Sequence, residues 1–309
     1  MREITMNQQT EKSFSEVFRM FETSQSAKGV SDITLRNYRY TLNNISKYID
    51  TQKTFEEITK RDVEAMIVTM RKKVLANNTV ATYTRILKTF YNWCYEENFH
   101  YIKVPVVREK ETAKETYTDD ELARLLKHPD RHCEFGEFRS WVIVNFLLNS
   151  GCRAATVRNI QNRDVDLDAM QVIFRHNKNK RIQSIPLCSV MVNILRKYMK
   201  VRGGERDDFL FCDIYGGELT KDALRHAITR YNKSRGVNSF SLHKFRHTFA
   251  RKYLIDCGGN AFTLQKLMGH STLNMTKHYC RIFDNDITKD FDLHSPLAQM
   301  QKTKPRIKR

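Results

Sequence analysis

The sequence predicts a protein of two domains that is mainly α-helical and carries a small β-sheet or hairpin in its second domain. The chain has 309 residues, 40% of them apolar, which is enough for about two domains with real cores. Apolar residues recur every three or four positions over the first hundred residues and again after residue 189, a period typical of amphipathic helices. Between residues 164 and 187 apolar and polar residues alternate instead, which indicates strands. The pattern therefore favours a helical first domain and an α+β second domain.

The first domain, residues 1–100, is predicted to consist of helices. Ser31 can cap one helix, Thr59 opens a second, and a third spans the region around Tyr83. Their apolar stripes are Leu35, Tyr38, Leu42, Ile45 and Ile49; Val63, Met66, Ile67 and Met70; and Val80, Tyr83, Leu87, Phe90 and Cys94. Helical spacing alone explains the aromatic members, so they are interpreted as core rather than as a base-stacking surface.

Residues 101–116 are predicted to link the two domains. Pro105 interrupts regular structure, and residues 108–115 are charged without an apolar face, as expected of an exposed interdomain segment. The second domain, residues 117–285, opens on a capping box that begins at Thr118.

Within the second domain, a buried helix is predicted over residues 135–149, and Gly151 ends it. The alternating strands contain Val165 and Leu167; Val172 and Phe174; and Ile182, Ile185 and Leu187. Polar and basic residues 177–180 lie between two of these runs and are interpreted as a hairpin tip. Residues 189–283 return to helical periods, and a C-terminal tail, residues 286–309, combines an apolar stripe with a basic end.

The charge balance indicates the kind of partner. Lys and Arg number 53 against 35 Asp and Glu, a net charge of +18. An excess of this size predicts a polyanionic partner, with a basic membrane-surface protein as the alternative.

Several classes of protein are not favoured. There is no run of about eighteen apolar residues, so no transmembrane helix is predicted, and the N-terminus lacks the apolar core of a signal peptide. The seven Cys are odd in number and none has CxxC spacing, so neither a zinc site nor a disulfide framework is expected. These features predict reduced thiols in a cytoplasmic protein.

The residues suited to chemistry lie mostly towards the C-terminal end. His243 and Arg246 are followed by His270 and then by Tyr279 in a strongly basic chain. Attack on a DNA phosphate by a tyrosine hydroxyl needs cations and donors on the non-bridging oxygens, a proton acceptor and the nucleophile. Arg153 lies upstream and adds a second guanidinium to this set.

In order and spacing, these residues resemble the tyrosine recombinase (phage integrase) family over nearly the whole chain. The resemblance implies a helical core-binding domain of the SAM-like type, a linker and a mixed catalytic domain, which together clamp double-stranded DNA. It also implies cleavage and rejoining of DNA through a 3′-phosphotyrosyl intermediate, without a metal or cofactor.

Two of the implied site residues lie upstream of the C-terminal motifs. Arg153 follows a Gly-x pair at the end of a buried helix, as the first arginine of the family does, and would clamp the phosphate. Lys178 precedes Pro186 by eight positions and fits the hairpin lysine that protonates the departing 5′-oxygen; Lys180 is a close rival. The family often has an acidic residue where Thr156 stands, which puts the support of Arg153 in question.

The remaining residues match the C-terminal motifs of the family. Arg246 closes the His-x-x-Arg box and would complete the phosphate clamp, while His243 opens the box and would act as base or hold the tyrosine hydroxyl. His270 ends the Leu-Gly-His box, in which Met268 is a departure, and would donate a further hydrogen bond. Tyr279 follows that histidine by nine residues and would be the nucleophile.

The function implied is a site-specific DNA recombinase, the integrase or transposase of a mobile element. A recombinase for chromosomal resolution or inversion is the alternative within the family. A type IB topoisomerase and a non-catalytic DNA-binding protein are the rivals outside it. The expected partners are double-stranded recombination sites, further copies of the chain in a tetramer, and accessory DNA-bending or directionality proteins, with no membrane.

Overall fold

The computed structural model describes residues 12–51, 53–73, 75–105, 107, 115–175, 182–239, 241–270, 272 and 276. The chain divides into two compact units, residues 1–112 and residues 113–309. Helices dominate both units, and a small antiparallel sheet lies in the second. The predicted fold class, mainly α with a small sheet in an α+β domain, is therefore confirmed. Among the described residues, no helix has the length and apolar character that crossing a bilayer requires.

Four α-helices lie in the described part of the first unit. They are α1 (Phe14–Ala27), α2 (Asp32–Ile45), α3 (Lys60–Lys72) and α4 (Asn77–Glu96), with a short 3₁₀ turn at Phe55–Glu57. Ser31 and Thr59 lie at the N-caps of α2 and α3, as the sequence predicts. Helix α1 is absent from the sequence prediction, although Ser13 and Glu16 form a complete capping box at its start.

The core of the first unit is aromatic. Phe90 is fully buried, and its ring centroid lies 5.1 Å from that of Phe18 and 5.3 Å from that of Phe14. Tyr83 is also buried, at 6% exposure. The interpretation of these rings as core rather than as a base-stacking surface is confirmed.

The second unit is built around one buried helix. Its helices are α5 (Asp119–Leu126), α6 (Phe135–Ser150), α7 (Ala154–Asn159), α8 (Ser189–Arg202), α9 (Lys221–Ser234), α10 (Leu242–Leu254) and α11 (Ala261–Met268). Helix α6 is buried on most of its surface and packs against α5, α8, α9 and α10. It ends at Gly151, as predicted.

Among the described residues, the sheet of the second unit has three antiparallel strands in the order β1-β2-β3. They are β1 (Val165–Asp166), β2 (Gln171–Phe174) and β3 (Gln183–Pro186), and a 3₁₀ turn at Asn162–Asp164 precedes them. Val172 pairs with Ile185, and both side chains enter the core, as the alternation of the sequence predicts. The predicted hairpin tip, residues 177–180, lies outside the described residues.

Candidate active site

Helix α10 carries two of the predicted site residues on one side. His243 and Arg246 are three positions apart, a spacing that places side chains on the same helix face. Phe245 is fully buried in the core of the unit and fixes the rotation of the helix. Arg246 is buried at 6% exposure, whereas His243 lines an open cleft. The helix therefore presents an interior guanidinium beside a more accessible imidazole.

The end of the segment that enters the second unit is tied to α10. The backbone N–H of Tyr117 donates to Thr248 Oγ1 at 2.9 Å, and the Tyr117 ring lies 4.5 Å from that of Phe245, centroid to centroid. Lys244 Nζ lies 4.6 Å from the centroid of the Tyr117 ring and 3.7 Å from Glu121 Oε2. These contacts occupy the Lys244 ammonium and hold the start of α10 in place.

Arg246 is held by the carbonyl groups at two helix ends. Its Nη1 donates to Gly151 O at 2.7 Å, and its Nη2 donates to Met268 O at 2.9 Å. Gly151 is the C-cap of α6 and Met268 is the last residue of α11. Carbonyl groups at helix C-termini have no partner within their helix and carry partial negative charge. They therefore both stabilise the buried guanidinium and fix its plane.

Glycine is required at both of these helix ends. Gly151 and Gly269 each have φ of +59°, in the left-handed region. A Cβ on Gly151 would lie 2.2 Å from Phe249 Cδ1, and a Cβ on Gly269 would lie 3.0 Å from Gln183 Oε1 and 4.0 Å from Arg153 Nη1. The two glycines let α6 and α11 end close to the packed ring and the two polar side chains.

His270 lies directly against Arg246. Its Nε2 is 2.9 Å from Arg246 Nη2, and its Nδ1 is 2.9 Å from Thr276 Oγ1. Burial, followed by the charges of Arg246 and Arg153, lowers the pKa of His270 to about 4. The imidazole is therefore neutral near pH 7, as expected for a ring next to two guanidinium groups.

Arg153 completes a cluster with Arg246 and His270. It is the N-cap residue of α7 and is partly buried. Its positive charge lowers the pKa of His270 and acts to lower that of the Cys152 thiol. The Cys152 thiol is buried, which raises its pKa to about 11, so it stays neutral beside the cluster. The structure thus brings together Arg153, Arg246 and His270, although they come from three separate segments.

The position that often holds an acid in the family is occupied by buried Thr156. Its backbone N–H donates to Arg153 O at 2.9 Å, so it lies one turn into α7, directly behind the arginine backbone. Thr156 thus belongs to the structural support of α7 rather than to a charged contact with Arg153.

His243 opens onto a cleft of about 810 Å³ between the N-terminal ends of α7, α9 and α10. Ala154 and Ala155, next to Arg153 in the chain, line the same cleft, as do Lys221 and Arg225 of α9. Four Lys and Arg side chains and two Glu side chains line the cleft, so cations are in excess. His243 therefore shares this cleft with the segment that carries Arg153. Polyanion binding fits a cleft with this rim.

Gln183 and Thr276 contact the site but were not found by sequence reasoning. Gln183 Nε2 donates to Leu267 O at 3.0 Å and also to Lys266 O. Because Gln183 is the first residue of β3, the base of the hairpin is tied to the end of α11. Neither residue type is distinctive in its sequence context, so no signal in the chain identifies it.

The predicted residues Lys178 and Tyr279, and the rival Lys180, lie outside the described residues. Their roles stay predictions. Among the described residues, no group of three or more His, Cys, Asp or Glu side chains is arranged to hold a metal ion.

The described geometry brings two guanidinium groups and a neutral imidazole together, a set of groups that suits an anion. Residues 115–286 match the family model described as the phage integrase family, and residues 19–98 match its N-terminal SAM-like domain. The chain belongs to the phage integrase family. It is an enzyme of the tyrosine recombinase class, which transfers DNA strands.

Curated relatives match the chain along nearly its full length. Tyrosine recombinase XerC of Bacillus licheniformis is 25% identical over 94% of this chain and 99% of its own length. Tyrosine recombinase XerC of Bacillus subtilis is 28% identical, over 93% and 97%. Tyrosine recombinase XerA of Thermococcus kodakarensis is 25% identical, over 87% and 91%.

Solved structures share the fold. A variant of the Tn1549 transposon integrase in complex with transposon right end DNA has a TM-score of 0.73 and 18% identity, covering 87% of this chain and 94% of that one. A λ integrase tetramer bound to a Holliday junction has a TM-score of 0.72 and 16% identity, covering 88% and 78%. At this level of identity the likeness concerns the fold.

Proposed function

We propose that the chain is a site-specific recombinase that cleaves and rejoins double-stranded DNA through a 3′-phosphotyrosyl intermediate formed on Tyr279. The observation that carries the proposal is the convergence of Arg246, Arg153 and His270 from three segments of the chain. His243 lines a cleft that is also lined by Ala154, the chain neighbour of Arg153. Family membership supports the assignment of the reaction, and the order of residues supports the choice of nucleophile.

The chemistry follows from the charge that a phosphodiester develops in its five-coordinate transition state. Preorganised donors aimed at the non-bridging oxygens supply a large share of the stabilisation. Arginine suits this task because its planar fork binds phosphate in bidentate fashion and stays protonated. Since two carbonyl groups already fix the plane of the Arg246 guanidinium, that donor set requires little reorganisation when the phosphate arrives.

The proposed reaction assigns each proton transfer and each bond change to a residue of the chain or to the DNA. The Tyr279 hydroxyl oxygen attacks phosphorus, its proton passes to His243 or to the phosphate, and the bond to the 5′-oxygen breaks. Lys178, or Lys180 in its stead, protonates that oxygen as general acid. The reverse attack by a 5′-hydroxyl of another strand releases Tyr279 and rejoins the DNA. In this scheme every step uses residues of the chain itself, and metal-independent cleavage is the expectation.

The proposed partners are recombination sites in duplex DNA and further copies of the chain. The net charge of +18 supports phosphate-dominated binding. Solved relatives of the same fold are bound to DNA, one of them as a tetramer on a Holliday junction. A tetramer that holds two sites distinguishes recombination from the single-duplex action of a topoisomerase.

The first prediction tests the nucleophile. A nicked duplex obtained from a random-sequence pool, by covalent capture with the wild-type chain, serves as substrate. Tyr279→Phe removes one oxygen and little volume, so DNA affinity is expected to persist while the SDS-stable protein–DNA adduct disappears. The measurement is denaturing electrophoresis of labelled duplex beside a binding assay. An adduct formed by the Phe variant overturns the assignment, and the absence of any adduct with the wild-type chain overturns the proposed reaction.

For the biological role we propose the integrase or transposase of a mobile element. The sequence resemblance in the tail, residues 286–297, supports it, and resolution or inversion at a chromosomal site is the alternative. In cells we expect a circular DNA that contains the gene and in which the two DNA ends that flank it are joined. Exchange confined to one fixed chromosomal site contradicts the mobile role and leaves the recombinase assignment intact.

A further inference from the structure

Arg246, His270 and Thr276 form a continuous hydrogen-bonded row in the site. Arg246 Nη2 and His270 Nε2 are 2.9 Å apart, and His270 Nδ1 and Thr276 Oγ1 are also 2.9 Å apart. Thr276 is fully buried, at 0% exposure. The imidazole is therefore held from both nitrogens, on one side by a cation and on the other by a hydroxyl without access to bulk water.

The row determines which ring nitrogen carries the proton in the DNA-free protein. A guanidinium has donors and no acceptor, so Nε2 of His270 must accept from Arg246 and carries no proton. A neutral imidazole then has its proton on Nδ1, and that N–H donates to Thr276 Oγ1. The low pKa of His270, caused by burial and by the facing charges of Arg246 and Arg153, agrees with a neutral ring.

This arrangement is opposite to the one that the proposed reaction requires. A phosphate oxygen is an acceptor, so a histidine that contributes to its binding must present an N–H. The edge of His270 that faces Arg246 presents a lone pair instead. Because Arg246 is also proposed to bind the phosphate, the arriving anion competes for the guanidinium and meets this unprotonated nitrogen.

We propose that Thr276 is a positioning residue that allows His270 to exchange its Nδ1–H form for its Nε2–H form when the scissile phosphate binds Arg246. A hydroxyl both accepts and donates. After rotation about the Cβ–Oγ1 bond, Thr276 donates to the lone pair of Nδ1 and keeps the ring in place. Thr276 is buried but His270 is only partly buried, so water that reaches the ring takes the proton from Nδ1 and supplies one to Nε2. The net charge of the ring is unchanged. This inference rests on the proposed function.

The surroundings favour a neutral exchange over a charged ring. Two guanidinium groups face His270, and a second positive charge on the ring would be repelled by both. The ring is also restrained through its backbone, since Gln265 Nε2 donates to His270 O at 3.4 Å. A side chain that only donated or only accepted would suit one of the two proton positions, whereas a hydroxyl suits both.

Two variants separate this role from simple packing. Thr276→Val keeps the shape of the side chain and removes the hydroxyl, while Thr276→Ser keeps the hydroxyl and removes a methyl group. With the captured nicked duplex at saturation, we expect Val to slow adduct formation about fivefold to tenfold, as for the loss of one neutral hydrogen bond. Ser is expected to stay within about twofold of wild type, and DNA affinity is expected to be unchanged in both.

A packing role predicts the reverse order, with Ser the more damaged variant in rate and in melting temperature. Equal rates for wild type, Val and Ser overturn the positioning role while wild-type adduct formation still supports the recombinase. If the wild-type chain itself forms no adduct, the proposed recombinase function is wrong, and the result says nothing specific about Thr276. Which of the two variants cleaves more slowly therefore decides between a positioning role and a packing role, even if Thr276→Val lowers the stability of the protein.

Nitrogen NMR of the ¹⁵N-histidine-labelled chain measures the exchange directly. His270→Gln identifies the signals. The Nδ1–H form is expected in the DNA-free protein, and the Nε2–H form is expected for the Tyr279→Phe variant bound to the uncleaved captured duplex. In Thr276→Val the two forms are expected to be mixed in both states. An Nδ1–H ring that stays unchanged on DNA binding, or an imidazolium in the complex, overturns the proposal.

Discussion

Two buried arginines of the second unit show different ways of holding a cation inside a protein. Arg139 on α6 and Arg246 on α10 are both 6% exposed. Arg139 donates from Nη1 to Cys212 O at 2.6 Å and its guanidinium carbon lies 5.7 Å from the centroid of the Phe135 ring, but its Nε has no hydrogen-bond partner.

Among the described residues, Arg246 instead meets three acceptors, which come from two segments of the chain. These are the end of α6, the end of α11 and the ring of His270. The first two are backbone groups that keep the guanidinium in plane, whereas the third is a side chain that an incoming anion can replace. Burial alone therefore does not identify a candidate site arginine. The arrangement of its acceptors, with one replaceable member, distinguishes Arg246 from Arg139.

The strongest test of this comparison replaces Arg246. Arg246→Lys keeps a positive charge and removes the planar fork, so one donor to the transition state is lost. Removal of a preorganised donor of this type costs about 10²–10³ in rate, and we expect that loss in single-turnover adduct formation with near-normal DNA affinity. The unfolding free energy is expected to fall by about 1–3 kcal/mol, because one helix-end carbonyl loses its partner. If Arg246→Lys cleaves at the wild-type rate, the arrangement of acceptors does not give Arg246 a role in cleavage that Arg139 lacks.

The second test disturbs the helix end that holds Arg246. Gly151→Ala places a Cβ 2.2 Å from Phe249 Cδ1 at φ +59°. We expect a loss of about 2–5 kcal/mol in unfolding free energy, from left-handed strain of about 1–2 kcal/mol plus overpacking of about 1–3 kcal/mol. Cleavage is expected to fall as well, since Gly151 O contacts Arg246.

Gly258→Ala is the matched control for that test. Gly258 has φ +63° and nothing within 4 Å of a built Cβ. It therefore carries the backbone strain without the collision, and about 1–2 kcal/mol is expected by urea unfolding with unchanged cleavage. Equal losses in the two variants contradict the close packing of α6 against Phe249.

The sequence predicts much of the fold because helix patterns and caps are local. The stripes of α2, α3 and α4 and the end of α6 at Gly151 follow from spacing and capping alone. Helix α1 is missed even though its capping box at Ser13 is a usable signal. Its aromatic residues, Phe14, Phe18 and Phe21, lie at helical spacing and could have confirmed it.

The sequence predicts the candidate site residues, but it does not predict the groups that hold them in position. Motif order predicts Arg153, Arg246 and His270 as site residues, and the structure brings these three together. The acceptors of Arg246 are backbone carbonyls, which no side-chain pattern encodes. Gln183 and Thr276 reach the site through the way strand β3 and the segment after α11 meet in space. Such contacts depend on tertiary packing, which spacing along the chain does not determine.

The smallest expected effect concerns the other buried arginine. Arg139→Met replaces the cation by an unbranched apolar side chain that can lie against Phe135. Loss of the bond to Cys212 O destabilises the fold by about 1 kcal/mol, while removal of a buried charge with an unpartnered Nε acts in the opposite direction.

We therefore expect an unfolding free energy within about 1–2 kcal/mol of wild type, measured by urea unfolding. Adduct formation is expected to stay within about twofold, because no acceptor of Arg139 belongs to the phosphate site. Arg139→Lys, which keeps the charge, is the control and is expected to be no more stable than Met. If the Met variant folds with native stability yet loses cleavage, Arg139 acts on the reaction, and the acceptor arrangement fails as the criterion that separates the two arginines.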